Sequence, residues 1–244
     1  MTLSPKQNQP SIDFSEQWRV FEAELRLDNH DLDVYRQDLR GSRAYILEGR
    51  VIKAQLNSEL FRSTEFYQNL KQEHEALRWV AGDRRFVQSL DYCERDIYRY
   101  LVLERVPGVQ LGERSYTVSD ALVIIIRLLS IGISLSVKRM VHGDMAPHNF
   151  IVSHGRFVTL IDFGLAQKAP FQICLWRNLI ARGTLNGKRT FPISGSIVRV
   201  VEYTLPPSWR ARYRKILGIA PYKAHAPSTS VAASSPRRSI GDDE

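Results

Sequence analysis

A chain that carries His142-Gly143-Asp144-Met145-Ala146-Pro147-His148-Asn149 and, after twelve further residues, Asp162-Phe163-Gly164 is tightly constrained in how it can fold. Both stretches place carboxylate and amide groups beside apolar runs, so the polar groups need a cleft and the runs need a core. The spacing reads H-x-D-x-x-x-x-N followed by D-F-G. Phosphoryl transfer from ATP asks little covalent chemistry of a protein. It does ask for a carboxylate near the acceptor hydroxyl and for oxygen ligands to Mg²⁺. Asp144 fits the first role, and Asn149 with Asp162 fits the second.

Three features of composition narrow the classes further. At 244 residues the chain has room for one large domain or two small lobes with a real core. Its two cysteines, Cys93 and Cys174, are far apart and lack metal-type spacing, which speaks against a disulfide scaffold or zinc site and for a reducing compartment. The polar opening from Met1 to Phe14 has no apolar core of a signal peptide, and the longest apolar run, Ala121 to Leu135, is broken by Arg127. That run is expected to be a buried helix and the protein cytoplasmic, with peripheral contact to a membrane left open.

Charge is unevenly spread. The whole chain carries +8, yet Leu165 to Pro221 holds ten Lys or Arg against the single acid Glu202, a local excess of +9. Such asymmetry implies an anionic partner: a phosphorylated substrate, an acidic lipid surface or nucleic acid.

Local patterns place these residues on elements. Ala44–Leu47 and Val51–Ala54 around Glu48-Gly49-Arg50 read as a hairpin, and Leu60 to Val80 as a helix with Phe66, Leu70, Leu77 and Val80 as its apolar stripe. Phe86–Tyr92 and Tyr98–Arg105 read as strands, and Val106-Pro107-Gly108 as a break. Asp120 is the expected cap of a helix from Ala121 to about Val137. Phe150–Val152 and Phe157–Ile161 form a short hairpin around His154-Gly155, which leaves Asp162 at a strand end. The composition of residues 1–13 and 222–244 predicts disorder.

In this order, the elements and motifs resemble the protein-kinase-like superfamily over about residues 35 to 170. The resemblance implies an α+β fold of two lobes. A β-rich ATP-binding lobe would take residues 14–106, and a compact helical lobe 107–221. It also implies ATP and Mg²⁺ as cofactors. Lys53, in Val51-Ile52-Lys53, matches the strand lysine that contacts the phosphates, and Glu73 (or Glu75) matches its helix partner. Leu101 to Val106 resembles the linker whose backbone meets the purine, there through Glu104 and Val106, and Ser42 stands where a phosphate-covering loop would be. Asp144, Lys53 and Asn149 are then the catalytic set, with Asn149 and Asp162 on the metal.

Departures from the pattern matter as much. No G-x-G-x-x-G precedes Lys53, Gly143 replaces the Arg of H-R-D, Ala146 stands where Ser/Thr kinases carry a lysine, and no A-P-E follows Gly164. His148 or a later arginine is left to supply the missing cation. This pattern resembles the small-molecule and glycolipid kinases, most of all the bacterial kinases that phosphorylate heptose in the lipopolysaccharide inner core. It implies an anionic glycolipid or sugar acceptor at the inner-membrane surface in preference to nucleic acid. A RIO-like Ser/Thr protein kinase and a pseudokinase scaffold are the alternatives.

Overall fold

The computed structural model describes residues 15–26, 33–35, 42–57, 70–153, 156–180 and 196–217. In chain order these form α1 (Ser15–Glu24), β1 (Asp33–Tyr35), β2 (Ser42–Leu47), β3 (Arg50–Leu56), α2 (Leu70–Trp79), β4 (Ser89–Glu94), β5 (Tyr98–Glu104) and β6 (Val109–Gln110). Then follow α3 (Val118–Val137), β7 (Met140–Val141), β8 (Phe150–Val152), β9 (Val158–Leu160), β10 (Gln167–Lys168), α4 (Phe171–Leu179), α5 (Ile197–Val201) and α6 (Pro207–Leu217).

A five-stranded antiparallel sheet, ordered β1-β2-β3-β5-β4, builds the first lobe. Successive side chains of a strand face opposite ways. On β3, Ile52, Ala54 and Leu56 therefore join Trp18 and Phe21 of α1 in one cluster with Tyr45, Leu47 and Tyr98. Phe21 sits edge-on to Tyr98 with ring centroids 5.0 Å apart. Lys53, between Ile52 and Ala54, faces the other way, in register with Ala44 of β2 and Leu101 of β5. On that side, Leu101 and Leu103 enter the main core with Leu70 and Leu77 of α2.

The main core continues into the second lobe, where Ile124, Leu128, Ile131 and Leu135 of α3 are fully buried. Two small sheets, β6-β8-β9 and β7-β10, hold the motif segments against α3. The connection between lobes is tight. Gly108 has φ +139°, and a Cβ there would lie 2.5 Å from the Val152 carbonyl oxygen, so only glycine lets the backbones meet.

Several elements differ from the sequence reading. The helix expected from Leu60 is described from Leu70, because residues 58–69, Phe66 included, lie outside the described part. Phe86 belongs to no strand: it makes one parallel bridge to Leu160, and β4 starts at Ser89. The cap of α3 is Thr117, which has an extended backbone and whose side-chain hydroxyl accepts the Asp120 N–H at 3.1 Å. Asp120 is thus the third residue inside the helix, at the far side of the capping turn. The segments 1–13 and 222–244 and the His154-Gly155 turn lie outside the described residues. Both cysteines are free thiols, Cys174 buried and Cys93 half-buried.

Candidate active site

The first half of the site is an ion cluster across three elements. Lys53 Nζ of β3 donates to Glu73 Oε1 of α2 at 2.8 Å and to Asp162 Oδ1, two residues past β9, at 2.9 Å. Leu70, Glu73 and Leu77 share the inward face of α2, which buries the Glu73 side chain completely. The Glu73 carboxylate also accepts the Phe163 backbone N–H, tying α2 to the Asp-Phe-Gly segment. Glu75 takes no part in the cluster; its neighbour His74 instead stacks on Tyr92.

One ammonium shared by two carboxylates splits their behaviour. At Lys53, burial disfavours the charge, but Glu73 and Asp162 outweigh it and hold the ammonium protonated well above the usual lysine range. At Glu73, burial is the largest influence and pushes the carboxyl up despite Lys53. Asp162, about one-third exposed, goes the other way: burial raises it, yet the Lys53 ammonium holds it low. The pair partners respond in opposite senses because the fully buried carboxyl bears the larger desolvation cost. Asp162 is held at φ +61°, a left-handed conformation that aspartate tolerates better than most residues.

The second half is the loop from β7 to β8. His142 is buried and neutral, its protonation disfavoured first by burial. Its Nε2 meets the Ile161 carbonyl at 3.0 Å and its Nδ1 accepts the Asp144 N–H at 3.3 Å. With one nitrogen donating and one accepting, the imidazole is fully used as a brace. It also packs edge-on against Phe163, centroids 4.8 Å apart. Asn149 donates through Nδ2 to both the carbonyl and the carboxylate of Asp144, at 2.9 and 3.1 Å. With Nδ2 spent there, Oδ1 is the atom that remains to meet a cation. The Asp162 carboxylate and the Asn149 carbonyl are hard oxygen donors of the kind Mg²⁺ takes alongside phosphates, so the residues fit that ion.

Gly143 has a structural reason of its own. Its φ is +85°, and a Cβ would lie 2.4 Å from the Leu165 carbonyl oxygen. No larger residue, arginine included, fits this backbone. Gly143→Ala is therefore expected to destabilise the protein by about 2 kcal/mol or more, measured by denaturant unfolding, and to depress turnover by displacing Asp144. A variant with wild-type stability and rate would show that the loop takes another path.

Sequence reasoning missed Asn178. Buried on α4, it accepts the His142 N–H through Oδ1 (3.3 Å) and donates to the Met140 carbonyl (2.8 Å) and to Ser136 (3.3 Å). It pins the start of the loop that carries Asp144 to α3. The available signal was an asparagine near the end of a largely apolar helical stretch.

Other expected residues are placed elsewhere. Ser42 opens β2 in register with Gln55, two residues beyond Lys53, while residues 36–41 before it lie outside the described part. Glu104 closes β5 and donates its N–H to the Gln88 carbonyl. Glu104 and Val106 line a cavity of about 490 Å³ with Arg84, Phe86 and Phe157, to which Lys53, Asp144 and Asp162 contribute nothing. Ala146 is buried and His148 exposed. The basic segment is partly spent on structure. Lys168 lies over the Trp79 ring, Arg210 donates to the Leu205 and Tyr203 carbonyls, and Arg214 pairs with buried Glu202 at 2.6 Å. Of the cluster on α6, Arg212 and Lys215 are exposed.

Comparison with known proteins agrees with this architecture. Residues 135–177, which span the end of α3, both motifs and most of α4, match the model of the phosphotransferase enzyme family. CDPK-related kinase 3 of Arabidopsis thaliana is 28% identical over 108 residues, 41% of this chain and 18% of its own length. Calcium/calmodulin-dependent serine/threonine-protein kinase 1 of Oryza sativa subsp. japonica is 30% identical over 108 residues, with the same coverage of 41% and 18%. A "Probable serine/threonine-protein kinase" of Dictyostelium discoideum is 28% identical over 156 residues, 62% of this chain and 11% of its own. The chain thus spans less than a fifth of the length of these relatives. Its mixed helix-and-sheet architecture is an α+β, protein-kinase-like fold, and these matches support a place in the protein-kinase-like superfamily.

Proposed function

We propose that this chain is an ATP-dependent kinase that transfers the γ-phosphoryl group to a hydroxyl of an anionic acceptor. The observation that carries the reading is the double contact of Lys53 with Glu73 and Asp162 beside the hydrogen-bonded Asp144–Asn149 pair. A phosphoryl donor would draw the Lys53 ammonium onto its phosphate oxygens while Glu73 keeps the side chain extended, so little orientation is left to search. Mg²⁺ on Asp162 and Asn149 would neutralise charge developing on those phosphates. Asp144 would accept or orient the acceptor hydroxyl proton, held in place by Asn149 and by its own N–H on His142.

For the acceptor, the reading is a sugar hydroxyl of the lipopolysaccharide inner core. Its support is the basic excess after Gly164 and the glycine in place of the loop arginine. A Ser/Thr protein kinase is the second reading, favoured by the names of the relatives. ATP turnover with phosphate-free core oligosaccharide, run beside a generic protein substrate, separates the two. Turnover on the protein alone would overturn the sugar reading, and none with either would overturn the kinase.

Because Arg210 and Arg214 are engaged within the protein, the acceptor contact falls to Arg212 and Lys215. Arg212→Glu with Lys215→Glu is expected to raise KM for the acceptor several-fold and to leave KM for ATP unchanged. Added salt should do the same to wild type, since exposed charges are screened within about 10 Å at 0.1 M. An acceptor KM that ignores both changes would remove α6 from the binding surface.

A further inference from the structure

α3 is buried on one side only. Ala121, Ile124, Leu128, Ile131 and Leu135 face the core. Val118, Leu122, Ile126, Leu129, Ile133 and Val137 are exposed, Ile126 and Val137 by about two-thirds of their surface. Spaced 4, 4, 3, 4 and 4 residues apart, these six fall within a strip about 100° wide and roughly 28 Å long. No charged residue interrupts that strip: α3 has one acid and one base. Asp120 pairs with Arg156 near the N-terminal end, and Arg127 lies over the Phe157 ring. A continuous aliphatic strip of this length on a folded surface marks a docking site.

The adjoining helix extends the surface. α4 packs on α3 where Leu179 lies against Gly132; it exposes Ile173 and Trp176, and Ile180 is exposed just past its end. Cations stand at the C-terminal end of the strip. Lys138 and Arg139 follow Val137 directly, and Arg177 is beside Trp176. Among the described residues none of these three forms an ion pair, and no carboxylate lies in the α4 sequence.

We propose that the outer face of α3 and α4 docks on an anionic phospholipid surface, lying flat in the interface with Lys138, Arg139 and Arg177 on lipid phosphates. Aliphatic side chains enter the acyl boundary, an indole suits the headgroup level, and cations beside them suit a negative leaflet. A second copy of the chain would bring no free carboxylate from α3 or α4 to meet these cations, since α4 has none and Asp120 is paired with Arg156, so charge favours lipid. α3 has the length and apolar character of a bilayer-crossing helix. Crossing would tear Ile124, Leu128, Ile131 and Leu135 from the core, so the helix lies on the membrane instead.

The test is cosedimentation of the full chain with vesicles of phosphatidylethanolamine and phosphatidylglycerol, beside vesicles of phosphatidylcholine. Wild type is expected to bind the anionic vesicles, and less as salt rises. Ile126→Glu with Ile133→Glu should weaken that binding about ten-fold or more, and Lys138→Glu with Arg139→Glu should weaken it and flatten its salt dependence. ATP binding, measured on the same samples, should be unchanged in both pairs, which keeps the folded site and the kinase reading apart from the docking result. Quenching by brominated lipid should fall in Trp176→Phe. Failure of wild type to bind anionic vesicles, or unchanged binding by the Ile126/Ile133 pair, would overturn the proposal. So would a wild-type dimer in sedimentation equilibrium that this pair converts to monomer without vesicle binding, for the strip would then belong to a second copy.

Discussion

Lys53→Met is expected to unfold at a midpoint about 6–20 °C below wild type and to lose ATP binding. The Glu73 side chain has no exposure, and among the described residues Lys53 is the one cation paired with it. Removing one partner of a buried pair leaves the other charge uncompensated and costs about 3–5 kcal/mol, with roughly 2–4 °C per kcal/mol for a domain of this size. Burial already pushes the Glu73 carboxyl above its ordinary value. Without Lys53 the folded protein binds a proton there that the unfolded chain does not, so stability falls as pH rises above the usual carboxyl range. The deficit should accordingly shrink at acidic pH. Adding Glu73→Gln should restore most of the midpoint, because an amide oxygen can still accept the Phe163 N–H, but it should restore no activity. A single variant as stable as wild type across pH would mean the three-element cluster does not form.

Asp144→Asn is expected to reduce the chemical step by about 10³-fold or more, within the range that positioned acid–base groups contribute, with ATP affinity almost unchanged. The asparagine keeps an oxygen for the Asn149 Nδ2, so the loop geometry should survive. Asp162→Asn should lose turnover too, but with weakened Mg²⁺-dependent nucleotide binding, because that carboxylate meets Lys53 directly. Single-turnover kinetics beside nucleotide titration separates the two effects. Near-normal chemistry in Asp144→Asn would remove it from the reaction.

What could be read from sequence follows the range over which each interaction acts. The contacts among His142, Asp144 and Asn149 close within eight residues, so their spacing already carries their geometry. The β2–β3 hairpin is equally local, with its turn at Glu48-Gly49 and its alternation of faces. Lys53 and Glu73 could be singled out only through resemblance, since twenty residues separate them and part of the intervening chain lies outside the described residues.

The sequence by itself determined the pieces whose physics is short-ranged: the motif loop, the strand hairpins, the long apolar helix and the basic bias after Gly164. Tertiary structure alone decided which of equivalent groups do what. Asn178 reaches His142 across 36 residues, Arg214 is spent on Glu202, and Thr117 takes the cap that Asp120 could have filled. The core claimed one side of α3 and left the other to solvent. Periodicity marks residues as apolar, but which of them are covered depends on how many neighbours the fold brings, and that is a property of packing.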